Sequence, residues 1–183
     1  GLVGSEMCIR DRYYTVSAYA NASAAFEMPQ GENHLGLRHT KQTICPPGYY
    51  CLSDGLAYPC PAGRYGSTEG LTASSCTGAC LPGYYCEIAS VSADAKKCGS
   101  VDYFCREGSA IPLLVQEGYY TVGGEGAKGA YLGTVDTRSS ERKCEPGYYC
   151  IGGVKSVCKP GYYGGLFAET RSECEGECQE GYY

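Results

Sequence analysis

The chain has little of the apolar bulk that fills an ordinary protein core. It contains no Trp, three Phe and two Met among 183 residues. Its longest apolar run, residues 111–115, is interrupted by Pro112, and it is far shorter than the roughly 20 residues that cross a bilayer as a helix. These shortages exclude a large hydrophobic core, so the fold must be held together by other means.

Residues suited to catalysis, metal binding and nucleic-acid binding are also scarce. The only histidines are His34 and His39, no Cys-x2-Cys pair occurs, and no nucleophile, base and orienting group form a recognisable arrangement. The net charge is −5, and no stripe of Lys and Arg with interleaved aromatics is present. We therefore expect a protein that is not an enzyme, uses no cofactor or metal, and does not bind nucleic acid.

Cysteine, by contrast, is abundant and periodic. The string Cys45-Pro-Pro-Gly-Tyr-Tyr-Cys51 returns as Cys144-Glu-Pro-Gly-Tyr-Tyr-Cys150, a period of 99 residues. Both copies continue with a short spacer, a cysteine, 15 residues, a cysteine, three residues and another cysteine. Each disulfide typically contributes about 2–4 kcal/mol to stability. The pattern predicts a repetitive, disulfide-stapled extracellular scaffold.

Residues 1–12 do not resemble natural protein. Residues 2–12 match one reading frame of a transposase sequencing adapter, and we interpret them as translated adapter. Their removal takes Cys8 with it, and we expect a further cysteine directly after Tyr183 in a longer array. The disulfide candidates are then Cys45, Cys51, Cys60, Cys76, Cys80, Cys86, Cys98, Cys105, Cys144, Cys150, Cys158, Cys174 and Cys178.

Zinc is the one serious competitor of disulfide pairing. The Cys-x3-Cys spacing at 76–80 and at 174–178 lies within the range of a zinc knuckle. The eight cysteines from 45 to 105, however, would close as four bridges within one repeat, and this even count favours disulfides.

Connectivity stays open at this point, because eight cysteines allow 105 pairings. We favour the two 15-residue loops, with the pairs Cys60–Cys76 and Cys158–Cys174.

The chain divides by these patterns into several segments. Tyr13-Tyr14-Thr15-Val16 matches Tyr119-Tyr120-Thr121-Val122, so residues 13–44 are interpreted as the tail of a preceding repeat. Residues 45–105 form cysteine-rich modules, residues 106–143 a cysteine-free connector, and residues 144–183 the start of the next repeat.

The local chemistry predicts turns followed by short strands. Pro47-Gly48, Pro82-Gly83, Pro146-Gly147 and Pro160-Gly161 suit type II turns, because proline presets φ and glycine accepts a positive φ. The Tyr-Tyr that follows favours an extended strand, with one ring packed on the neighbouring cystine. The predicted fold class is small disulfide-rich repeat modules, elongated, made of short β-ribbons and irregular loops with little helix.

Three further motifs have ordinary interpretations. Residues 124–129 fit Gly-x-Gly-x-x-Gly but lack a following helix pattern, so a flexible loop is expected rather than a dinucleotide site. Asn21-Ala-Ser is an N-glycosylation sequon that agrees with secretion. The glutamates at 169, 173, 175, 177 and 180 lack the pattern of a calcium loop and are expected to be solvated.

The motifs resemble a known family of modules. The segments Cys45-Pro-Pro-Gly-Tyr-Tyr-Cys51, Cys60-Pro-Ala-Gly-Arg-Tyr65 and Cys76-Thr-Gly-Ala-Cys80 resemble ephrin-receptor-like cysteine-rich modules of the growth-factor-receptor cysteine-rich superfamily. The Cys-Pro-x-Gly-x-Tyr opening is also similar to tumour-necrosis-factor-receptor modules, in which that cysteine pairs with the one closing the same loop. This likeness implies Cys60–Cys76.

The resulting hypothesis is a non-enzymatic extracellular or cell-surface segment that acts as a structural spacer or display rod. A ligand-binding receptor ectodomain that recognises a protein or glycan is the alternative, and a zinc-binding cytosolic protein is the second alternative. Any membrane attachment is expected through a segment outside these residues.

Overall fold

A computed structural model describes residues 13–17, 39–123 and 136–182. The predictions for the adapter segment, for the sequon at Asn21 and for the loop at 124–129 lie outside these residues. No helix occurs in the described ranges, and none of their segments could therefore cross a membrane as a long apolar helix.

The architecture is a succession of eight two-stranded antiparallel ribbons. All sixteen strands are short, between two and six residues, which confirms the predicted class of small ribbon modules. In chain order they are β1 Tyr13–Ser17, β2 His39–Ile44, β3 Tyr49–Cys51, β4 Ala57–Pro59, β5 Arg64–Tyr65, β6 Gly78–Ala79, β7 Tyr84–Tyr85, β8 Lys96–Lys97, β9 Tyr103–Phe104, β10 Leu113–Leu114, β11 Tyr119–Val122, β12 Ser140–Lys143, β13 Tyr148–Ile151, β14 Val154–Val157, β15 Tyr162–Tyr163 and β16 Gly176–Glu177.

Tight turns begin most ribbons, at the predicted places. At Pro47-Gly48 the amide of Tyr49 donates to the carbonyl of Pro46 at 3.2 Å, and Gly48 has a φ of +83°. The other three predicted Pro-Gly turns have the same i to i+3 hydrogen bond and a positive glycine φ. Both features define the type II turn, and Tyr-Tyr leaves each turn as a strand, so this prediction is confirmed.

The ribbons β1–β2 and β11–β12 have the same register. Tyr13 pairs with Ile44, directly before Cys45, and Tyr119 pairs with Lys143, directly before Cys144. The two matching Tyr-Tyr-Thr-Val strands therefore stand at equivalent places in the two repeats. The later part of the cysteine-free segment is thus a ribbon of the same array.

Cystine sulfur takes the place of an ordinary core. Most of the buried apolar residues are half-cystines. Tyr49 packs on the cluster of Cys45, Cys51 and Ala57, and Tyr148 packs on a cluster that includes Cys144 and Cys150. The first ring of these two Tyr-Tyr pairs covers the neighbouring cystine, as expected.

Candidate functional site

The repeated turn is the feature that positions every other group in the molecule. Most modules begin with a cysteine that stands three residues before a turn glycine, and we call this first residue the opening residue. A module runs from one opening residue to the residue before the next, and its turn glycine is the glycine three residues after the opening residue. Seven turn glycines have φ between +75° and +88°, a region that suits glycine because a Cβ is disfavoured there. The modules open at Cys45, Cys60, Cys80, Cys98, Val115, Cys144, Cys158 and Cys178, and only the module at Cys98 has no turn glycine among these described modules.

Backbone hydrogen bonds join each module to the next. The carbonyl of Gly48 accepts from the amide of Cys60 at 2.8 Å, and the amide of Gly48 donates to Gly66 at 2.7 Å. The amide of Cys178 donates to Gly161 at 2.8 Å in the same way. Because both groups of the turn glycine are used, the orientation of each module is set by its neighbour rather than by a flexible linker.

Each turn glycine of the earlier modules also touches the module two places further along. A Cβ built on Gly48 would lie 2.5 Å from the carbonyl oxygen of Ala89, and one on Gly63 would lie 2.3 Å from that of Gly108. Gly83 meets Thr137, and Gly118 meets Ala168, each at 2.5 Å. These glycines are needed for close backbone approach as well as for their φ.

All twelve paired cysteines of the described residues lie in sequential pairs. The disulfides are Cys45–Cys51, Cys60–Cys76, Cys80–Cys86, Cys98–Cys105, Cys144–Cys150 and Cys158–Cys174, with Cα separations from 5.7 to 6.1 Å. The structure thus pairs Cys60 with Cys76 and Cys158 with Cys174, the two pairs preferred from the sequence. Eight cysteines of one repeat close as four bridges.

Long disulfide loops arise beside the short ones because glycine replaces a cysteine in some modules. Three opening cysteines pair with the cysteine six residues later, and Cys98 pairs with the one seven residues later. In the modules at Cys60 and Cys158 that place is taken by Gly66 and Gly164. A Cβ on Gly66 would lie 2.8 Å from the Sγ of Cys60, so the glycine leaves room for the longer bridge to Cys76.

Cys178 is the free cysteine of the described chain. It opens a module whose turn resembles that of Cys80, since the amide of Tyr182 donates to Gln179 at 3.0 Å as that of Tyr84 does to Leu81 at 3.1 Å. Cys76 and Cys80, which have zinc-knuckle spacing, belong to different disulfides. No group of three or more His, Cys, Asp or Glu in the described residues is placed to hold a metal ion.

Sequence reasoning missed that one module lacks its cystine altogether. Val115 and Thr121 stand three residues before and after Gly118, where other modules have their two cysteines. Thr121 is buried, and its Oγ1 donates to the carbonyl of Val101 at 2.6 Å. Its amide donates to Gly153 at 2.9 Å, as that of Cys51 does to Leu71. The spacing around Gly-Tyr-Tyr was the signal available in the sequence.

We expect the double variant Val115→Cys/Thr121→Cys to form a seventh disulfide. The closed loop matches those of Cys45–Cys51 and Cys144–Cys150, and such a bridge contributes about 2 kcal/mol. Loss of the Thr121 hydrogen bond offsets about 1 kcal/mol of it. Thiol counting and urea unfolding with and without reductant measure both effects. The single variant Thr121→Cys should be destabilised, and a double variant with two more reactive thiols than the parent chain would contradict the assignment.

A polar cluster crosses the boundary between the modules at Val115 and Cys144. Tyr120 Oη donates to Glu145 Oε1 at 2.9 Å, and Lys155 Nζ donates to Glu145 Oε2 at 3.1 Å. The ammonium also lies 4.9 Å from the ring centroid of Tyr120 and 4.4 Å from that of Tyr148. The Lys155 side chain is only 12% exposed, so these contacts hold it in place.

The same cluster predicts an acid-sensitive contribution to stability. Partial burial disfavours the charged carboxylate, but the hydrogen bonds from Lys155 and Tyr120 outweigh this cost and lower the pKa of Glu145. A lowered folded-state pKa gives stability that is present above the unfolded-state value, near 4.5, and is lost as the pH falls through the folded-state value.

Glu145→Gln should therefore remove part of the acid dependence of unfolding. We expect a loss of about 0.5–1 kcal/mol at pH 7, the range for partly exposed pairs, and a smaller difference from the parent at pH 3. Urea midpoints at the two pH values measure this, with Glu107→Gln in another module as the control. An equal loss at both pH values would mean that the charge of Glu145 is not involved.

Hydroxyl groups of other tyrosines are also held by carboxylates. Tyr58 Oη donates to Asp54 at 2.6 Å, and this hydrogen bond raises the pKa of Tyr58. The Tyr58 ring also stacks on Tyr50, with centroids 5.5 Å apart. Tyr162 Oη donates to Glu177 at 3.1 Å. Glu177, one of the acidic group near the end of the chain, thus has a partner in its own ribbon.

A cleft that could receive a ligand lies between the modules at Cys98, Val115 and Cys144. Its volume is about 460 Å³, and its lining includes Tyr103, Leu114 and Ile151. These three side chains are 39%, 65% and 58% exposed. The carboxylates that line the cleft are those of Asp102 and Glu117.

No protein-family model matches the chain, and no curated protein is similar to it. The class of protein is therefore defined by the fold and the disulfides alone. The chain is a cysteine-rich structural module array of short ribbons. Disulfides on this scale fit an extracellular or secreted protein.

Proposed function

We propose that this chain is a non-enzymatic segment of an extracellular or cell-surface protein, and that its modules act as a structural spacer or display rod. Its motifs are assigned to the ephrin-receptor-like cysteine-rich modules. The observation that carries the proposal is the double linkage of the turn glycines of the earlier modules, for example Gly48, which bonds to the next module and touches the one after it.

This linkage supports a spacer because it resists bending between modules. A turn glycine whose amide, carbonyl and Cα are all engaged leaves little freedom at the boundary. A cystine within six of the eight described modules then limits local unfolding, since each closed loop restricts the unfolded chain. In a repeat protein, the free energy of unfolding is roughly the sum of the stability of each repeat and the interaction energy of each neighbouring pair. The array can therefore become longer without a new hydrophobic core.

The test is a length series built from the 99-residue unit, residues 45–143. Chains with one, two and three units are compared by small-angle X-ray scattering in oxidising buffer. We expect the maximum dimension to increase by a constant amount for each unit added. A dimension that grows only as the cube root of chain length would show a compact particle and overturn the spacer function. Reduced chains serve as the control for an unfolded coil.

Thiol counting separates this proposal from the zinc-binding alternative. Alkylation and peptide mass spectrometry of the purified chain should find the twelve cysteines of the six pairs protected. Free thiols with bound zinc would instead favour a zinc-binding cytosolic protein and overturn the extracellular assignment.

A receptor ectodomain is the second candidate, favoured by the cleft of exposed apolar side chains around Tyr103 and Leu114. On protein and glycan arrays, Tyr103→Ala or Leu114→Ala should abolish any binding by this cleft while leaving the melting temperature unchanged. Leu166→Ala is the matched control, because Leu166 is similarly exposed, at 57%, in a different module. Equal binding by all variants would exclude the cleft as the ligand site.

A further inference from the structure

The later turn glycines differ from the earlier ones in one respect. Gly48, Gly63, Gly83 and Gly118 are buried, whereas Gly147, Gly161 and Gly181 are exposed. Within the described residues, nothing lies within 4 Å of a Cβ built on any of these last three. Their φ values, from +84° to +88°, are close to those of the earlier turns, +75° to +87°, so the backbone is already in the conformation that receives a neighbour.

We infer that the open turns at Gly147 and Gly161 are a docking surface for a further module of the same cysteine-framed kind. The inference rests on the array architecture of the proposed function and adds the identity of the partner. Within this chain, the equivalent glycines Gly48 and Gly63 already hold such a module, through the carbonyl groups of Ala89 and Gly108.

The geometry of the occupant follows from that internal precedent. Ala89 has a φ of +61° and Gly108 a φ of +74°, and this left-handed conformation turns the carbonyl towards the glycine. The amide of Ala89 donates to Cys60 at 2.9 Å, and that of Gly108 donates to Cys80 at 2.9 Å. The partner therefore needs a left-handed residue a few positions after its cystine, and it recognises backbone rather than side chains.

Cys178 supports the same register. Its amide bonds to Gly161 as that of Cys80 bonds to Gly63, and Cys80 is paired with Cys86 six residues later. The segment 86–110, which follows this position in the first repeat, contains both Ala89 and Gly108. A copy of it joined after Tyr183 would place those residues over Gly147 and Gly161.

The experiment therefore compares the full chain with the full chain extended by a copy of residues 86–110. Peptide mapping after alkylation reports Cys178 alone. We expect Cys178 to be labelled in the parent and protected in the extended chain. Amide exchange of Gly147 and Gly161 should slow at least tenfold in the extended chain, because their surface becomes covered.

Alanine variants test the surface itself. Gly147→Ala should lower the melting temperature by at least about 5 °C more in the extended chain than in the parent. Gly99→Ala is the matched control, because Gly99 also has a positive φ, +117°, and no described atom within 4 Å of an added Cβ. Its effect should be equal in both chains, since it lies in the first repeat, away from the added segment.

Two results would overturn the inference. One is a Cys178 that stays reactive while the other six disulfides form. The other is a protected Cys178 with an equal effect of Gly147→Ala in both chains, which would show a disulfide without docking. Neither result depends on whether the array is a spacer, which the length series decides separately.

Discussion

Reduction of the six disulfides is expected to unfold every described module. The buried apolar residues are mostly half-cystines, with few others such as Phe104 and Val122. Bridges of this kind contribute about 2–3 kcal/mol each for loops of these sizes, so six of them supply on the order of 12–18 kcal/mol. That sum is comparable to the whole stability of a typical domain, about 5–15 kcal/mol. Without the bridges, no remaining core offsets the entropy of the chain.

Hydrogen exchange and circular dichroism before and after treatment with a phosphine reductant measure this unfolding. The single-bridge variant Cys60→Ser/Cys76→Ser should lose about 3 kcal/mol, because its loop is among the longest. Cys178→Ser is the control and should change stability by less than about 0.5 kcal/mol, since all six bridges remain. A reduced chain that keeps its slowly exchanging amides would show that backbone hydrogen bonds suffice.

Gly48→Ala is expected to be among the most damaging single changes that leave every disulfide in place. The left-handed φ of +83° costs an alanine about 1–2 kcal/mol. The added Cβ would also lie 2.5 Å from the carbonyl oxygen of Ala89, and overpacking of this kind costs about 1–3 kcal/mol more. The expected total is about 3 kcal/mol.

Gly147→Ala is the matched comparison, because its φ is +84° and no described atom lies within 4 Å of the new Cβ. It should cost only the conformational part, about 1–2 kcal/mol. Urea unfolding followed by hydrogen exchange of residues 45–105 and 144–182 separates the two repeats. Equal losses for the two variants would mean that the contact with Ala89 does not matter.

The local elements of this fold were predictable because short-range chemistry sets them. At Pro47-Gly48, proline fixes a negative φ and glycine permits the positive φ that the next position of a type II turn requires. The Tyr-Tyr that follows then enters a strand. The longer disulfide Cys60–Cys76 could also be chosen from the sequence over other pairings, because the same spacing recurs at Cys158 and Cys174.

The cysteine-free ribbon could not be assigned by counting cysteines. Val115 and Thr121 occupy cystine positions, but neither residue type signals a bridge. The burial of Thr121 is compensated by a hydrogen bond to Val101, 20 residues away in sequence. The cluster of Tyr120, Glu145 and Lys155 is likewise built from two strands and one turn that only the module stacking brings together.

The sequence by itself determined the turns, the ribbons, the disulfide-rich class and the 99-residue period, because each depends on residues close together in the chain. Only the tertiary structure decided which turn glycines are covered and by what. Gly48 and Gly147 stand in nearly identical strings and have nearly identical φ. They differ because Gly48 is covered by the backbone at Ala89, some 40 residues further along the chain. A contact between residues so far apart is not visible in the local sequence around either glycine.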